Sequence, residues 1–195
     1  MNGRREATGV MPRKQDGRKQ DGSTLWVALF TAVSALATAA LACATPFPAL
    51  AALAATHLRR GHGVVLMLLV WAVSQVVGFG LLDYPRDPKT IGWGAALGLA
   101  SVVALFGARA TTRSFPPRVA VARLMLGYAA GFIAFKLAVL AGALLLGGVA
   151  TTLAPTLLLR QFVRDGLILV GLQLFYLLLK GVGVPVPTTR RVQPA

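Results

Sequence analysis

The stretch CATPFPALAALAATHLRR, residues 43–60, decides how this chain is read. It opens on the break Thr45-Pro46-Phe47-Pro48, continues as an apolar run over about 46–58, and closes on Arg59-Arg60. A helix needs about 20 apolar residues to cross a bilayer core, so a run of roughly 13 also fits a re-entrant or core segment. Its surroundings favour a short crossing. Five plainer hydrophobic stretches lie at about 24–44, 64–82, 90–108, 123–149 and 166–180, and positive charge changes sides along the chain consistently only if the short run crosses as well.

The count covers all 20 Lys and Arg residues. With six crossings one side receives the basic tail, Arg59, Arg60, Arg109, Arg113, Arg118, Arg123, Lys180, Arg190 and Arg191. The other side receives Arg86 and Lys89, offset by Asp83 and Asp87, and an uncharged loop near Gly148–Pro155. The positive-inside rule then predicts cytoplasmic termini, with Cys43, Tyr84 and Thr151-Thr152 toward the outside. The expected fold is all-α, an integral membrane bundle of six transmembrane helices over 24–182. A basic tail, 1–23, and a C-terminal tail, 183–195, flank it in the cytoplasm.

Composition agrees. In 195 residues, 56% hydrophobic and 13% charged leaves too little charge for a soluble surface. A net charge of +14 raises nucleic acid as a partner, but no basic face interleaved with aromatics is present to bind it. The lipid bilayer is the expected partner instead. Residues 25–44 also invite a signal-peptide reading, with Ala42-Cys43-Ala44 in A-x-A form and a hint of a lipoprotein box at Cys43. The apolar run exceeds the ~7–15 residues of a signal core, and further spans follow. Ala28, Ala32, Ala35, Ala39, Ala40 and Ala44 give this first helix a small-residue face. Such a face packs inside a bundle or docks a partner membrane protein.

No phosphate-cradling glycine loop or zinc-ligand spacing occurs. His57 and His62 flank Arg59-Arg60 and read as interfacial. Polar side chains inside apolar stretches are more informative, because they are costly in a membrane and usually face a cavity. At about 1.5 Å per residue, Lys136 and Gln75 lie about 20 Å above the basic surface, Arg164 and Asp165 about 22–24 Å, and Arg160 about 30 Å. They converge on the outer half, which predicts a polar pocket opening outward. Other readings remain open for each: Arg160 and Arg164 snorkelling to headgroups, Lys136 and Asp165 as an ion pair, and Gln75 as an interhelical hydrogen-bond partner. Cys43, the single cysteine, is a small buried hydrophobe on one reading. On the other it is a thiolate, favoured by nearby cations and suited to a soft metal that arrives with its other ligands attached.

The run Cys43-Ala44-Thr45-Pro46-Phe47, with residues 71–80 (WAVSQVVGFG), Tyr84-Pro85 and Trp93-Gly94, resembles the BtuM-type cobalamin transporters of bacteria. These are themselves similar to the S components of energy-coupling-factor (ECF) vitamin transporters. The resemblance covers about residues 25–180 and is distinctive only in the quoted runs. It implies an S-component-like fold, cobalamin as bound substrate with no cofactor of the protein's own, and a cysteine ligating the corrinoid cobalt. Only Cys43 can inherit that role. It also implies that the alanine face matches the surface S components present to an ECF-type partner, although the family is implied to work without one as well. Depth adds Gln75, Tyr84, Lys136, Arg160 and Arg164 to Cys43 and Phe47 as candidate substrate-binding residues. A membrane module that docks a partner without transport is the alternative. An enzyme with a Cys43 nucleophile is weaker still, since no base stands at suitable spacing.

Overall fold

A computed structural model describes residues 26–32, 45–114 and 120–182. Every element among them is helical. Residues 26–32 form a helical segment, α1. It is followed by α2 (Phe47–His57), α3 (Arg60–Gly80), α4 (Pro88–Ser114), α5 (Ala120–Leu146), α6 (Val149–Leu153) and α7 (Pro155–Gly181). The tails 1–23 and 183–195 lie outside the described residues.

Local chemistry sets these boundaries. Proline in the first turn starts α2 and α7, where its missing N–H and fixed φ do no harm. Asp87 caps α4: its Oδ1 accepts from the backbone N–H of Lys89 at 2.9 Å and of Thr90 at 3.0 Å. Gly147 and Gly148, at φ 87° and 99°, turn the chain after α5 in a conformation that side chains resist.

Four helices, α3, α4, α5 and α7, are long and apolar enough to cross a membrane. Their outward faces carry large apolar side chains such as Leu144, Leu145, Leu167 and Leu178, exposed as lipid contact requires. This is a multi-pass membrane protein. α4 and α7 run further than the hydropathy suggested. α4 continues past residue 108 to Ser114, and α7 starts at Pro155 instead of near 166. In both cases charged side chains lie within the helix because they find partners or a cavity inside the bundle.

The short α2 is the hub. Its 11 residues rise only about 16 Å, half the thickness of a bilayer core. Ala49, Leu50, Ala51, Ala52, Leu53 and Ala54 have no exposed surface. A helix apolar all round must be enclosed, and α3, α4, α5 and α7 all pack on it. Small residues set the close antiparallel α4–α5 seam. A Cβ on Gly107 would lie 2.6 Å from the Ala134 Cβ, and one on Gly131 would lie 3.3 Å from the Ala104 carbonyl oxygen. The connections place Arg59, Arg60, Arg113, Arg123 and Lys180 at one end of the bundle. Thr45, the 81–87 turn and the 147–154 turn lie at the other.

Of the alanine face on the first helix, Ala28 and Ala32 are described, and both are exposed. Trp26, Val27 and Phe30 point inward instead, with the Trp26 ring tilted against that of Tyr176 at 4.9 Å. These two alanines therefore do not pack inside the bundle, because the bulky side chains take that face.

Candidate functional site

Two adjoining cavities open at the end away from the basic cluster. They share Thr45 and Phe47 at the start of α2, and Leu97 of α4. The smaller, of about 130 Å³, lies between α3, α4 and the 81–87 turn. The larger, of about 600 Å³, lies between α5, α6 and α7, within the ~300–1,000 Å³ range of small-molecule sites.

The smaller cavity depends on close packing around glycine. The Tyr84 ring lies over Gly78, where a Cβ would come within 3.1 Å of it, and the Gln75 amide lies against Gly94, where a Cβ would sit 2.5 Å from its oxygen. Trp71 Nε1 donates to the Gly94 carbonyl at 2.8 Å, joining α3 to α4. Gln75 Nε2 donates to Ser74 Oγ at 3.1 Å. Phe79 meets Tyr84 edge-on at 6.4 Å, giving the cavity an aromatic wall.

The larger cavity is cationic. Lys136, Arg160, Gln161, Arg164, Thr151 and Thr152 supply its polar lining. Lys136 Nζ donates to Gln161 Oε1 at 2.5 Å, linking α5 to α7. Arg164 donates from Nε and one Nη to the same Asp165 oxygen, at 3.1 and 2.9 Å. Asp165 is fully buried, and its second oxygen has no hydrogen-bond partner among the described residues.

Four sequence expectations change here. The acid pairs with Arg164, its neighbour in sequence, and not with Lys136. A single depth-defined cluster becomes two cavities: Gln75 and Tyr84 line the first, while Lys136, Arg160 and Arg164 line the second, with Phe47 common to both. Arg109 is not a loop residue. It is buried in α4 and donates to the carbonyls of Ala54 at 3.2 Å and Leu58 at 2.9 Å, closing the C-terminal end of α2. His57 also turns inward, with Nε2 at 3.1 Å from Gln173 Oε1 and its ring stacked 4.1 Å from Tyr176.

Gln161 escaped the sequence reading although its position between Arg160 and Arg164 marks it as polar on the same helix. Thr45 escaped it because hydroxyls are common at helix starts. Cys43 lies outside the described residues, two positions before Thr45 in sequence. Among the described residues no group of three His, Cys, Asp or Glu is placed to hold a metal ion. No protein-family model, curated protein or solved structure matches the chain.

Proposed function

We propose that this protein binds cobalamin or a related corrinoid and carries it across the bacterial inner membrane, with Cys43 as an axial ligand to the cobalt. One observation carries the reading. Nine of the eleven residues lining the smaller cavity, from Thr45 through Ser74-Gln75 and Tyr84 to Trp93-Gly94, belong to the runs that resemble BtuM-type transporters. Residues far apart in sequence thus meet at one concave surface, as a shared ligand would require. The basic end of the bundle faces the cytoplasm by the positive-inside rule, so both cavities open outward. Cys43 stands two positions before Thr45 in sequence, and Thr45 lines both cavities. A thiolate there is a soft donor for cobalt, whose remaining ligands come with the corrin.

The test is optical. Protein purified after growth with cobalamin should be coloured, with cobalt–sulfur bands in its visible spectrum. Cys43→Ser replaces the soft donor with a hard one and should insert normally but lose those bands. Identical spectra and affinity in wild type and variant would remove the ligand role, and a colourless wild-type protein would remove the corrinoid reading. The exposure of Ala28 and Ala32 favours a second role for α1 as a docking surface for an ECF-type partner.

A further inference from the structure

The larger cavity has more positive charge than its function as a packed wall can use. Among the described residues, Lys136, Arg160 and Arg164 line it, no Asp or Glu does, and the nearby Asp165 is buried behind Arg164. Arg160 and Arg164 stand one turn apart on α7, a spacing at which like charges repel. Arg160 has no hydrogen-bond or ion-pair partner among the described residues. Lys136 uses one of its three donors on Gln161. Lys136, half-buried, and Arg160, exposed at the cavity mouth, therefore present positive charge to the cavity that no ion pair among the described residues takes up. The start of α2, with Thr45 and Phe47 on the same wall, adds the positive end of a helix dipole.

We infer that Lys136 and Arg160, with Arg164 behind them, form a subsite for a phosphate group. Cations from two helices and the hydroxyl of Thr151 supply donors from several directions, while the Thr152 hydroxyl is committed to the Gly148 carbonyl at 3.0 Å. That arrangement suits an anionic phosphate group, whose unesterified oxygens accept charge-assisted hydrogen bonds. The inference deepens the corrinoid reading and rests on it for the identity of the ligand. A complete cobalamin carries one phosphodiester in its nucleotide loop, whereas cobinamide has the same corrin ring and lacks that group. The subsite would therefore select corrinoids that keep the loop. A phospholipid headgroup offers the same phosphate chemistry, and the test separates the two sources.

The protein is purified in a phosphate-free maltoside detergent, as wild type and as the double variant Lys136→Met, Arg160→Gln. Equal elution profiles and equal unfolding temperatures in chloride establish that both are folded. If the double variant fails this control, Arg160→Gln alone replaces it. Inorganic pyrophosphate at matched ionic strength should raise the unfolding temperature of the wild type and leave the variant unmoved. No stabilisation of the wild type overturns the subsite. Stabilisation only by short-chain phosphatidylglycerol also overturns it, assigning the cations to a lipid headgroup. With corrinoids, the wild type should bind cobalamin at least about tenfold more tightly than cobinamide, and the variant should bind the two alike. Equal wild-type affinities overturn the proposal while leaving corrinoid uptake intact. Stabilisation by pyrophosphate with no binding of either corrinoid supports the subsite and removes the corrinoid reading.

Discussion

The two ends of α2 are built in opposite ways. At its C-terminus Arg109 reaches from α4 to the carbonyls of Ala54 and Leu58 and seals the helix. At its N-terminus Thr45 and Phe47 border open space, and the cations nearby face a cavity. The helix dipole explains the contrast: a guanidinium is stabilised by the partial negative charge of a C-terminus, while at an N-terminus cations add to a positive field. Arginine is therefore structural at one end and available for a ligand at the other. The difference lies in the partners within reach, since all these arginines sit inside apolar helices.

Arginine removal should separate the ends most clearly. Arg109→Ala leaves two buried helix-end carbonyls without their charged donor and should cost about 2–3 kcal/mol of stability, read by thermal or denaturant unfolding in detergent. Arg160→Ala should change stability by less than about 0.5 kcal/mol, as expected where no partner is lost. Equal losses at both positions would break the distinction between a sealed and an open end.

Packing gives a smaller effect of the same kind. Gly107 sits in the α4–α5 seam, two residues from Arg109, and a Cβ there would come within 2.6 Å of the Ala134 Cβ and 3.2 Å of the Ala130 carbonyl oxygen. Gly107→Val should cost about 1–3 kcal/mol through overpacking. Gly171→Ala on α7 is the contrast, because nothing lies within 4 Å of its added Cβ. It should be neutral or slightly stabilising, since alanine favours helix by about 1 kcal/mol over glycine. A tolerated Gly107→Val would mean that the seam around α2 is loose enough to shift.

What the sequence disclosed follows from what membranes constrain. Long apolar runs and the sidedness of Lys and Arg show directly, so the membrane class and the principal helices were legible. The enclosure of α2 was less so. An alanine-rich run of this length looks the same whether it is re-entrant, spanning or buried, and only its neighbours distinguish these. Depth counting singled out polar residues on α3, α5 and α7 but could not assign them to two cavities, because rise along a helix carries no information on azimuth. The charge count put Arg109 with the surface arginines, because its position just beyond an apolar run is shared by arginines that meet water. The Arg164–Asp165 pair was hidden for a related reason: adjacent helical residues do not normally face each other, and this pair meets only because the guanidinium folds back.

The smallest expected effect lies on the open side, at the cap of α4. Asp87 is fully exposed, and its carboxyl is held below the usual carboxylate range by a hydrogen bond from the Thr90 hydroxyl, then by the Thr90 and Lys89 backbone N–H groups. A depressed folded-state pKa means that the ionised cap stabilises the protein above the unfolded-state pKa of about 4. That contribution is lost as pH falls through the folded-state value. Asp87→Asn keeps an oxygen for the backbone N–H groups and removes the charge, so it should be slightly less stable than wild type at neutral pH. The difference in unfolding temperature should shrink once the pH drops below the carboxylate range, where both caps are neutral. Asp87→Ala, with no acceptor, should stay less stable than Asp87→Asn at every pH. Arg109 does not titrate over this range, so the seal at the other end of α2 should hold while the α4 cap weakens. A parallel acid loss in wild type and Asp87→Asn would place the acid-sensitive group elsewhere, with the buried Asp165 as the next residue to substitute.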